Sequence, residues 1–146
     1  MHHNKLIFAI LLFAVSLPLM AENSTKADGY TIHHNAFSTD TLSATVAKAY
    51  GIQRSKNRGM INISVIKDKA GTTGASTAAA VNVGIKRLIG RTDPVELKEI
   101  REDNAIYYIG VFGVVHGEKV TFDISVKPDG SGKTLKASLK QEFYAN

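Results

Sequence analysis

From Val120 to Val126, apolar and polar residues alternate without a fault: Val120, Phe122, Ile124 and Val126 against Thr121, Asp123 and Ser125. Successive side chains leave a β-strand on opposite faces, so this segment suits a strand with one buried face and one wet face. The same period recurs in Ile61, Ile63 and Val65, in Val81, Val83 and Ile85, and in Leu135, Ala137 and Leu139. Tyr30 and Ile32 show it briefly, Val95 and Leu97 begin another strand, and residues 105–115 are rich in aromatic and β-branched side chains. Asp93 with Pro94, Asp103 with Asn104, Gly117 with Glu118 and Asp129 with Gly130 supply turns between them. The shift from Ile85 to Leu88 predicts a bulge near Lys86 and Arg87, and the small residues of 68–77 predict a mobile loop.

Only one stretch carries helical spacing. Leu42, Val46 and Ala49 or Tyr50 recur along one face, Ser43 stands where an N-cap belongs, and Gly51 can take the left-handed conformation that ends a helix. A parallel α/β fold needs several long helices, and none is present. About seven strands with helix confined to Ala44–Tyr50 predict an all-β fold, an antiparallel sandwich.

The N-terminus has a different constraint. Lys5 precedes an unbroken apolar run of ten residues, Leu6 to Val15, and Pro18, Leu19, Met20 and Ala21 follow. Ten helical residues span only about half of a hydrocarbon core, and the three-part layout is that of a secretory signal peptide. The expectation is cleavage after Ala21 and residence in the periplasm, not embedded in the membrane. The domain plan is then a signal peptide at 1–21, a polar flexible leader at 22–29 and one sandwich domain at 30–146. Zero cysteines in an exported chain mean that core burial alone holds that domain together.

Charge narrows the partners. The chain of 146 residues carries a net charge of +5, and loss of Lys5 leaves 17 basic against 13 acidic residues, a net of +4. The excess is mild and dispersed, which suits anionic envelope polymers and falls short of a nucleic-acid footprint.

Catalytic motifs fail on inspection. Gly130, Gly132, Lys133 and Thr134 imitate the end of a phosphate-binding loop, but Lys127 stands where the first glycine belongs and a strand follows instead of a helix. His33 and His34 are adjacent on a strand and point to opposite faces, so they cannot share a metal ion easily; His116 is the remaining histidine of the domain. Ser55, His34 and Asp40 can be drawn as a triad, as can many other trios, and no serine sits in a nucleophile elbow. No cofactor and no metal is expected. Two function classes remain: a non-enzymatic periplasmic binding or accessory module, or a hydrolase-like periplasmic enzyme whose site assembles only in three dimensions.

Two segments are candidates for binding. Arg54, Lys56 and Arg58 lie between the short helix and the next strand, either as an anion-binding loop or as a solvated connection with Arg54 held by a neighbouring carbonyl or acid. The strand of 106–115 is apolar on both sides: Ile106, Tyr108, Phe112 and Val114 on one, Tyr107, Ile109, Val111 and Val115 on the other. Such a strand is covered by other parts of the fold or meets a partner, an envelope protein or a second copy, through Ile109 and Val111.

The stretches Tyr30 to Phe37, Val46 to Ser55, Ile61 to Val65 and Gln141 to Tyr144 resemble small exported proteins of Gram-negative bacteria, grouped only as domain of unknown function 4426. Tyr50, Gly51, Ile52, Arg54 and Ser55 form the most specific part. The resemblance implies an immunoglobulin-like sandwich in the periplasm and supplies no activity, ligand or catalytic residue. This chain departs from the family at the helix start, with Ala44 and Thr45 in place of Pro and Glu.

Overall fold

The alternating segments become strands of two antiparallel sheets in a computed structural model, which describes residues 23–146. The expected signal peptide lies outside the described residues. The first sheet runs in the order β1 (Ser24–Ala27), β2 (Tyr30–Ser38), β3 (Arg58–Lys67), β8 (Ala105–Gly113), β7 (Lys98–Glu102), with the two-residue β4 (Ala75–Ser76) beside β3. The second runs β10 (Leu135–Glu142), β9 (Lys119–Pro128), β5 (Ala79–Lys86), β6 (Thr92–Val95). The fold is therefore an antiparallel β-sandwich with one α-helix among the described residues, α1 (Ala44–Tyr50), preceded by a single 3-10 turn at Thr39–Thr41.

The core fills from both sheets. Ile32, Ile61, Ile63 and Val65 of the first face Phe122, Ile124 and Val126 of the second, and all seven are essentially closed to solvent. Phe112 packs against Phe122 with ring centroids 5.1 Å apart and against Phe143 at 5.4 Å. Burial of each large side chain here contributes about 1.5–3 kcal/mol relative to exposure.

Ten strands are described where about seven were expected, and the additional ones are the short β1, β4 and β6. They pair through the backbone and carry little apolar alternation of their own. Residues 22–29, expected as a flexible leader, include β1, whose Ser24 to Ala27 pair with His33 to Tyr30. The missed signal is Asp28-Gly29: both residues have positive φ, 48° and 81°, which is the backbone of a two-residue hairpin turn.

Two other expectations need correction. Asp93 and Pro94 do not form a turn; they lie within β6, an edge strand with the single partner β5, the kind of strand that tolerates a proline. The bulge expected near Lys86 and Arg87 is the end of β5, and Leu88 projects into solvent. The strand begun at Val95 is instead β7, starting at Lys98 after a crossover between sheets.

Candidate binding surfaces

Helix α1 exists because both of its ends are capped. The Ser43 hydroxyl accepts from the Val46 N–H at 3.2 Å, so Ala44 and Thr45 still open a helix. At the other end Gly51 adopts φ 67°, its N–H donates to the Lys48 carbonyl, and the Ile52 N–H donates to the Ala47 carbonyl at 2.8 Å. This paired termination returns the chain toward β3 and carries Tyr50 and Ile52 over the outer face of the first sheet. The Tyr50 hydroxyl donates to Glu102 Oε1 at 2.5 Å, tying the helix to the end of β7. The Glu102 carboxylate raises the Tyr50 pKa above the ordinary tyrosine value.

That return accounts for the apolar outer side of β8 at Ile109. Residues directly opposite across an antiparallel ladder share a face, so Phe37, Met60 and Val111 form one outer row, and Asn35, Asn62, Ile109 and Lys98 the next. Met60 on the sheet and Ala47 on the helix are both buried. Ile109 is only 7% exposed, so the expectation that it lies open for a partner is corrected: α1, Ile52 and the 96–98 crossover close over it. Val111 is 38% exposed and lines what remains, an open cleft of about 540 Å³ with Tyr50, Ile52, Leu97 and Ile100 around it.

Arg54, Lys56 and Arg58 separate in space. Arg54 Nη2 donates to the Asp40 carbonyl at 3.1 Å, which is the held connection. The loop is fixed by Thr39, a residue sequence reasoning missed. Its buried hydroxyl accepts from the Ser55 N–H at 2.9 Å and lies 2.8 Å from the Gln53 carbonyl and 3.1 Å from that of Ser55. Lys56 and Arg58 remain exposed where β3 begins opposite Gly113.

That end of the sandwich gathers three further segments: the 87–91 hairpin tip, the 114–118 turn and the tail after β10. Arg87 ties the first two, pairing with Glu118 and donating to the Gly113 carbonyl at 2.8 Å. The Gly117 N–H donates to the Phe143 carbonyl at 2.7 Å, the Ala145 N–H donates to His116 Nδ1 at 3.0 Å, and the Tyr144 ring meets that of His116 edge-on. On this framework Leu88 and Ile89 are 88% and 89% exposed, with Val115 and Tyr144 also in solvent. Lys86, Arg91 and Lys119 join Arg87, Arg54, Lys56 and Arg58 at this end, against Asp40, Asp93, Glu118 and Glu142.

The remaining candidates fall on ordinary elements of the fold. His34 points inward beside Thr25 Oγ1, 3.0 Å from its Nε2, and burial lowers its pKa, which favours the neutral ring. Residues 129–134 form the β9–β10 turn, and Leu135 starts a strand. Among the described residues no group of three His, Asp or Glu is placed to hold a metal ion.

Comparison with known proteins agrees with the fold. Residues 24–146 match the family model described as Domain of unknown function (DUF4426). The chain is similar to the crystal structure of a DUF4426 family protein from Pseudomonas aeruginosa, with 29% identity, a TM-score of 0.71, and 86% of this chain and 96% of that chain covered. No curated protein matches the chain.

Proposed function

The chain belongs to the domain of unknown function family DUF4426, and from its geometry we propose that it is an exported, non-enzymatic periplasmic binding module. Its binding surface is the end of the sandwich formed by the 87–91 tip, the 114–118 turn and the C-terminal tail. One observation carries this reading: Leu88 and Ile89 stand almost fully in water on a tip whose base Arg87 anchors. Large apolar side chains held out on a fixed frame mark contact surfaces, because exposure costs solvation that a partner removes. Export rests on Lys5, the Leu6 to Val15 run and Ala21.

The test places a photo-crosslinking residue at Ile89 and, separately, at Ser131 in the β9–β10 turn, in the natively expressed protein. Adducts, to protein or to lipid, are expected from position 89 and not from 131. Adducts from neither, or from 131 alone, would sink this reading. Intact mass of the same preparation checks export, with a mature N-terminus at Glu22 expected.

A further inference from the structure

We propose that the 87–91 tip docks on an anionic phospholipid bilayer, with Leu88 and Ile89 entering at the level of the headgroups. This rests on the reading of that end as the binding surface and names its partner. The shape of the tip comes first. Lys86 and Thr92 are the last paired residues of the β5–β6 hairpin, so the five residues between them project beyond the ladder. Two adjacent aliphatic side chains stand almost fully exposed on this projecting tip. A bilayer accepts a convex apolar point without a preformed pocket, and two side chains limit entry to the boundary of headgroups and acyl chains, ~5–10 Å deep.

The charges around the apex favour an anionic surface. Arg87 is paired with Glu118 and Arg91 with Asp93. Lys56, Arg58, Lys86 and Lys119, with Arg54 held on the Asp40 carbonyl, then face Asp40 and Glu142 across this end, with Glu142 directly opposite Lys119, which leaves an excess of cations. Apolar residues at the point with cations behind them match the order of acyl chain and phosphate met on approach. Tyr144, exposed beside His116, has the apolar ring and polar hydroxyl that settle at such an interface.

The core formed by the described residues lies within 23–146, and residues 22–146 serve as the test protein. Co-sedimentation is measured with vesicles of phosphatidylglycerol and phosphatidylethanolamine, and with vesicles of phosphatidylcholine alone. Binding to the anionic vesicles alone is expected, weakening as salt rises, and reduced by about tenfold or more in Leu88→Ser/Ile89→Ser. The urea midpoint of that variant checks that it remains folded. No binding to anionic vesicles, or equal binding by the double variant, overturns the bilayer as partner. In that event protein adducts from position 89 would leave the binding-module reading standing, and no adducts would remove both.

Discussion

The two ends of this sandwich are built from the same kinds of turn and finished differently. At one end, the turns at 28–29, 103–104 and 129–134 and the 68–77 loop bond inward. The Thr31 hydroxyl donates to Asp68 Oδ1 at 2.8 Å, the Asp68 N–H to the Gly29 carbonyl at 2.8 Å, and the Ala79 N–H to the Tyr108 hydroxyl at 2.9 Å. Burial raises the Tyr108 pKa, so that hydroxyl remains a neutral partner. None of the large hydrophobics exposed among the described residues lies at that end. At the other end the frame is bonded just as thoroughly, through Arg87, Gly117, Phe143 and His116, yet it holds Leu88, Ile89, Val115 and Tyr144 in water. Polar satisfaction of the backbone is thus common to both ends, and apolar exposure belongs to one. Turn chemistry explains the first property and not the second.

Substitutions can break this contrast, beginning at the frame of the apolar end. Phe143→Ala removes the ring that packs on Phe112 and loosens the tail, with an expected loss of about 3 kcal/mol in urea unfolding. A loss below about 1 kcal/mol would mean that the tail is not part of the frame. Thr39→Val keeps shape but strands the Ser55 N–H, and about 2 kcal/mol should disappear, with faster amide exchange at 53–55. If exchange there does not change, the hydroxyl does not hold the loop. At the opposite end Gly29→Ala forces an alanine into φ 81°, and roughly 1 kcal/mol of stability is expected to go without any change in surface binding. Smallest of all, Leu88→Ser and Ile89→Ser should each leave stability within about 0.5 kcal/mol of the parent. A larger loss at either position would show that the tip packs in solution and is no free apex.

The sequence was most legible where one physical cause acted alone. Val120 to Val126 lies between β5 and β10 with one face on the core, so its period of two appears unmixed. Ser43 and Gly51 were readable as caps because capping is local chemistry. Residues 22–29 were not, since edge strand β1 needs only backbone partners and its side chains are polar; Asp28-Gly29 was the sign to follow. Ile109 was misplaced because its cover arrives from residues 50–52 and 96–98, far away in sequence. Leu88 was misread for the converse reason: an apolar residue just past a buried strand looks like its continuation, and only the chain path shows that the ladder has ended. Of the candidate site, Lys56 and Arg58 were named in advance, and the tip beside them was not.

The four outer strands have a consequence for crowding. β1 carries Lys26, β6 carries Pro94, β7 has charged side chains at Lys98, Glu99, Arg101 and Glu102, and β10 carries Lys136 and Lys140. Each would place a charge or a missing donor in the path of an incoming strand, so sheets of neighbouring molecules resist joining edge to edge. Charges on these edges thus oppose growth by strand addition, the step from which fibrils extend.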